Sequence, residues 1–156
     1  MITAIRDLEL IFTEQSKMIS ELKNKLIKTE IEQDSVYKTL LLDFLQVIDT
    51  FEQAETIIED NNWSDNEIAK KAINRLLTAK KKALSIFKKH EVTPMSFENN
   101  LANDNDCKII DTECDMDYPN NYILRMEKKG YLISNVKEGV LKTENLRSAE
   151  VVIVKN

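Results

Sequence analysis

The sequence predicts an α+β protein in which a long amino-terminal coiled-coil helix and a short helical bundle are followed by a small carboxy-terminal all-β domain. Three observations lead there. No glycine or proline occurs before Pro94, whereas Pro94, Pro119, Gly130 and Gly139 all follow, so the first part is free to be helical and the second must turn. Apolar residues in the first part recur every three or four positions, which is the helical period. After His90 the chain changes to short runs rich in Ile, Val, Tyr and Thr, divided by turn residues, which is the composition of strands. The expected division is residues 1–92 for the helical part and 93–156 for the β domain.

The first helix is expected from about Thr3 to Glu59. Its seam reads Ile5, Leu8, Phe12, Ile19, Leu22, Leu26, Val36 and Leu40, and the polar residues Gln15, Thr29 and Gln33 occupy seam positions between them. Such a stripe is a coiled-coil seam with polar breaks. From Leu40 the apolar content rises through Leu45, Val47, Ile48, Phe51 and Ile58, which widens the buried face from a two-stranded seam to a bundle. A helix of that length reaches roughly 80 Å, further than a domain of this size can cover. The stripe therefore calls for a second copy of the chain, and Ile5, Leu8, Phe12, Ile19, Leu22, Leu26, Val36, Leu40, Val47 and Phe51 are the candidate dimerisation residues. A fold-back hairpin would need a turn between Ile5 and Ile58, and no Gly, Pro or Asn-rich segment supplies one.

Asp60-Asn61-Asn62 ends the first helix, and Ser64-Asp65-Asn66-Glu67 has the capping-box pattern that opens a second. Ile68, Ala72, Ile73, Leu76, Leu77, Ala83, Leu84 and Phe87 mark its apolar side. Lys70, Lys71, Arg75, Lys80, Lys81, Lys82, Lys88 and Lys89 cover the remainder as solvated surface. Strands are expected at Cys107 to Thr112, Tyr122 to Lys128, Tyr131 to Val136 and Ala149 to Lys155, with Lys137 to Glu144 as a long connection. A β domain of this size is marginal alone and should pack against the helical part.

Composition narrows the function. With 42% hydrophobic and 31% charged residues the chain belongs among folded proteins. A net charge of -5 opposes a surface built to neutralise phosphates or anionic lipid, and the lysines of the second helix have no interleaved aromatics on which bases would stack. Nucleic acid is therefore not the expected partner. No apolar run is long enough to span a bilayer and the first residues resemble no signal peptide, so the expected location is cytoplasmic. Cys107 and Cys114 fit neither a zinc nor a redox spacing and read as reduced thiols.

No catalytic constellation emerges. His90 is the only histidine, and its neighbours Lys88, Lys89 and Glu91 read as a solvated helix end. Neither glycine sits in a phosphate-binding context. The acidic stretch Asp104 to Asp117 lacks the spacing and central glycine of a calcium loop. The expectation is a binding protein rather than an enzyme, with no cofactor and no metal.

Three ordered stretches resemble the GrpE family. Leu45-Gln46-Val47-Ile48-Asp49 with Phe51, Glu52 and Ala54 is similar to the family's Leu-Pro-Val-hydrophobic-Asp segment, with Gln46 for proline. Phe87 to Met95 resembles the family's helix end and Gly-Val turn, with Glu91 for the glycine, and Phe97, Asn100 and Leu101 follow where a Phe-Asp-Pro-Asn-Leu run would fall. Ala102 stands in place of the family's histidine. Lys129-Gly130-Tyr131-Leu132-Ile133 and Leu146-Arg147-Ser148-Ala149-Glu150 resemble its Lys-Gly-Tyr strand and closing Leu-Arg-Pro-Ala strand, with Ser148 for proline. An Arg-rich segment carried on the first helix by many members has no counterpart here. Together the stretches cover about residues 5 to 155 as a divergent member.

The resemblance implies a homodimeric co-chaperone of the stress response, with a parallel pair of long helices, a four-helix bundle and a β domain that reaches the nucleotide-binding domain of a DnaK-type chaperone to promote ADP release. It places chaperone contacts at Glu91, Val92, Pro94, Phe97, Asn135, Arg147 and Ile153. If the turn keeps a positive dihedral, Glu91 costs on the order of 1 kcal/mol there. The alternative of another class is a dimeric coiled-coil adaptor without exchange activity, for which Gln46, Glu91, Ala102 and the 137–144 connection speak.

Overall fold

The computed structural model describes residues 2–65, 67–137 and 139–156, with the backbone alone for residues 2–5, 7, 8 and 137. The chain divides into two units, residues 1–41 and 42–156. Helix α1 (Ile2–Asp60) supplies the whole described part of the first unit and opens the second.

In the first unit, threonines at Thr13 and Thr29 turn their hydroxyls back onto the carbonyls of Glu9 and Lys25, four residues earlier. Lys28 and Glu32 form an exposed pair at the same spacing, the kind that adds a few tenths of a kcal/mol to a helix. The expected seam residues Phe12, Ile19, Leu22, Leu26, Val36 and Leu40 are all exposed, from 53% to 70%. Ile5 and Leu8 lie outside the residues whose side chains are described.

The second unit begins with the wider apolar face of α1, where Leu45 and Ile48 are buried. Asn62 takes a positive φ of 51° in the turn after α1. A 3-10 turn at Trp63–Asp65 precedes α2 (Glu67–Lys89). Ser64 thus lies within that turn rather than immediately ahead of α2, and Asn66 of the expected capping box is outside the described residues. Lys88 and Lys89 in the last turn of α2 oppose the helix dipole.

Among the described residues, six strands form two sheets. β1 (Val92–Pro94), β4 (Tyr131–Lys137) and β5 (Val140–Arg147) make an antiparallel sheet in the order β1-β4-β5. β2 (Cys107–Glu113), β6 (Ala149–Val154) and β3 (Ile123–Lys128) make the other, with β6 central, parallel to β2 and antiparallel to β3. Cys107, Ala149, Val151 and Ile153 form the core of the second sheet, with Phe97, Ala102 and Ile123 against them. On the first sheet Tyr131 and Ile133 are fully buried, and an aromatic run from Phe44 of α1 through Phe87 of α2 to Tyr131 joins the helices to the strands.

Two further sequence expectations change. The long connection from Lys137 to Glu144 is in fact a tight hairpin and most of a strand: Lys137 pairs with Val140, and β5 runs on to Arg147. Gly139 takes φ 77° at the hairpin tip with open space around it, the left-handed conformation such a turn requires. Lys80, read as solvated helix surface, is 8% exposed and ion-paired with Glu55 and Glu52 of α1. Its apolar stem fills the α1–α2 contact while the ammonium meets two carboxylates.

Candidate functional site

The helix-to-strand junction is built by one left-handed residue. His90 closes the last turn of α2, its N–H reaching the Phe87 carbonyl at 2.9 Å. Glu91 follows with φ 57°, donating its N–H to the Lys88 carbonyl at 3.2 Å and accepting from the Ser134 N–H at 3.0 Å. The positive dihedral reverses the chain out of the helix and delivers it as β1 alongside β4, so the conditional strain at this turn is real. Glu91 itself stays exposed.

β1 pairs Val92 with Ile133 and Pro94 with Tyr131, and β4 carries Tyr131 on to Arg147 of β5. The first sheet therefore gathers five of the seven expected contact residues: Glu91 and Pro94, both exposed, Asn135 and Arg147, both half-buried, and Val92. Val92 is 2% exposed, so its side chain packs inside rather than facing a partner. Phe97 and Ile153 belong to the other sheet's core, with Ile153 3% exposed. A docking partner cannot reach Val92 or Ile153 in the folded chain, because both fill the interior that gives the strands their stability.

Arg147 occupies a position the sequence did not reveal. Its two terminal nitrogens each donate to one oxygen of the Asp49 carboxylate, at 2.7 Å and 2.7 Å. The Nε and one terminal nitrogen also donate to the Lys129 carbonyl at 3.2 Å and 2.8 Å. The guanidinium lies 5.5 Å from the centre of the Tyr131 ring, within cation–π range. Nearby, the Lys129 ammonium reaches Glu52 at 2.7 Å. Burial and the Glu52 carboxylate push the Tyr131 phenol up to about 12.

Of the other candidates, Val47 is half exposed at 50% and Phe51 half-buried. Asn103 caps the start of the acidic stretch, accepting from the N–H groups of Asn105 and Asp106. Among the described residues no group of three or more His, Cys, Asp or Glu side chains is placed to hold a metal ion, and no helix is long and apolar enough to cross a membrane. Burial raises the Cys107 thiol above its ordinary range, which leaves it inert as a nucleophile.

The first unit thus carries an exposed apolar stripe from Phe12 to Leu40, and in the second unit Arg147 and Lys129 tie the strands to Asp49 and Glu52 of α1. The chain belongs to the GrpE family, whose pattern it matches over residues 3–155. Members of that family are co-chaperones that exchange nucleotide on DnaK-type chaperones, and they catalyse no chemical reaction of their own. No individual curated protein matches the chain.

Proposed function

We propose that this chain acts as a homodimer in the cytoplasm during stress, docking its β domain on the nucleotide-binding domain of a DnaK-type chaperone and promoting ADP release. The observation that carries the reading is the family match over residues 3–155. The exposed Glu91 and Pro94 and the half-buried Asn135 on the first sheet are the contact residues best able to meet a partner. Exchange by this route is differential binding. The factor prefers the ADP-free, opened chaperone, so by linkage it weakens ADP affinity by the same factor that opening strengthens its own binding.

Dimerisation is the second half of the proposal. Phe12, Ile19, Leu22, Leu26, Val36 and Leu40 form an exposed stripe that a second copy in parallel register would cover, and the contact continues through Val47 and Phe51. Sedimentation should give twice the chain mass.

The test is the release rate of a fluorescent ADP analogue from the host's DnaK-type chaperone, with and without the protein. Acceleration that a folded Pro94→Ala, Asn135→Ala variant loses supports the proposal. A folded dimer that leaves release unchanged would overturn it in favour of a coiled-coil adaptor.

A further inference from the structure

Three carboxylates stand at three-residue intervals on α1: Asp49, Glu52 and Glu55. That spacing keeps them on one helix face, and each is held by a cation from another element. Arg147 at the end of β5 takes Asp49. Lys129, between β3 and β4, takes Glu52 at 2.7 Å, while Lys80 of α2 lies 3.7 Å from Glu52 and is bonded to Glu55. The result is a ladder of charges tying the neighbouring Arg147 and Lys129 of the strand region, and Lys80 of α2, to one face of α1.

Arg147 is the most committed rung. Four of its five N–H groups are engaged: one each on the two Asp49 oxygens and two on the Lys129 carbonyl. The side chains of Arg147 and Asp49 are only 18% and 14% exposed, and the face of the guanidinium is turned to Tyr131. A guanidinium so placed has almost nothing left to offer a docking partner. Two parallel bonds fix the planes of the two groups and so set an angle as well as a distance.

From this geometry we infer that Arg147 and Asp49 are positioning residues for nucleotide exchange: they hold the β domain at a fixed angle on the helix, so that docking is converted into opening of the chaperone. The inference rests on the exchange reading above. A loosely held β domain still docks through its own exposed face, but it swivels instead of levering. Breaking the clamp therefore lowers the maximal release rate and leaves the half-saturating concentration little changed.

Stability alone does not require charges here, because a buried ion pair can often be replaced by well-packed apolar side chains without loss. This separates positioning from packing. An Asp49→Leu, Arg147→Met variant is expected to keep the melting temperature of the native chain yet remain slow in exchange.

The experiment measures ADP-analogue release against protein concentration for the native chain, Asp49→Asn, Arg147→Gln and the double variant. Each variant is expected to lower the maximal rate about tenfold, within the usual range of coupling energies. The double variant should be no slower than either single one, because the two residues act as a unit. If Arg147 instead contacts the chaperone, Arg147→Gln raises the half-saturating concentration and Asp49→Asn leaves exchange intact; either result overturns the inference. A second readout needs no chaperone. Spin labels at Gln53→Cys and Lys142→Cys, in a Cys114→Ser background, report the distance between α1 and β5. Asp49→Asn is expected to broaden that distance distribution, and an unchanged narrow one sinks the idea. If the native chain fails to accelerate release, the exchange reading fails, and the distances still decide whether the clamp sets the angle.

Discussion

Glu91 sits at φ 57° in the turn between α2 and β1, where a side chain meets its own carbonyl and glycine does not. Relief of that crowding by Glu91→Gly is worth about 1–2 kcal/mol. Against it stands the extra freedom glycine gives the unfolded chain, about 0.4–1 kcal/mol. The net expectation is a gain of about 0–1.6 kcal/mol, or up to about 6 °C in melting temperature for a chain of this length. Both backbone bonds of the residue, to Lys88 and from Ser134, are retained by glycine. Glu91→Ala is the comparison: it removes the carboxylate and keeps the Cβ, so it should leave stability nearly unchanged. The assay is urea unfolding followed by circular dichroism at one fixed protein concentration, since the proposed dimerisation would make stability depend on concentration. If Glu91→Gly is less stable than both the native chain and Glu91→Ala, the strain is not what the dihedral implies and the reasoning fails.

Other expectations follow from the same interior. At Gly130 an added Cβ would lie 2.4 Å from Met95 Sδ and 2.8 Å from the Ala149 backbone nitrogen, so Gly130→Ala should destabilise by about 1–3 kcal/mol in the same unfolding assay. Tyr131, raised from 10.0 to about 12, binds its proton more tightly folded than unfolded. Its contribution is present in full below pH 10 and is lost as pH climbs toward 12, a fall of roughly 2.5 kcal/mol. Native chain and Tyr131→Phe, compared between pH 8 and 11.5, should differ by most of that loss, about 2 kcal/mol. In the proposed dimer the polar seam residues Gln15, Thr29 and Gln33 would weaken the pairing of the first unit, so helicity should be lost in two steps on heating. A single cooperative melt would count against the seam assignment.

The long helix was readable because nothing interrupts its apolar period, and the strands at Cys107, Tyr131 and Ala149 because their composition is unmistakably that of strands. β5 was missed for a physical reason: Val140-Leu141-Lys142-Thr143-Glu144-Asn145 is exposed throughout, so no buried face imprints an alternation on it. β1, at three residues, is too short to carry any pattern. Lys80 looked like its exposed neighbours because a buried cation is recognisable only once its carboxylates are in place. The pairing of Arg147 with Asp49 was not legible at all. The two are 98 residues apart, and no local signal links them. The three-residue rhythm of Asp49, Glu52 and Glu55 was nonetheless visible, and acidic residues on one face beside a buried apolar stripe are a cue that something basic must arrive there.

The placement of β6 between β2 and β3 governs the order in which this chain is able to fold. Helix α2 and the β4–β5 hairpin need only near neighbours and can form within microseconds. β2 and β3 have no partner until β6 reaches them, and the parallel β2–β6 pairing must close the whole of residues 114–148 first. Long-range pairing of this kind is slow. Until it is complete, the two outer strands carry unsatisfied backbone edges, so any intermediate that lingers before this step is the species most prone to join with another of its kind. The slowest closure thus falls in the domain proposed to meet the chaperone.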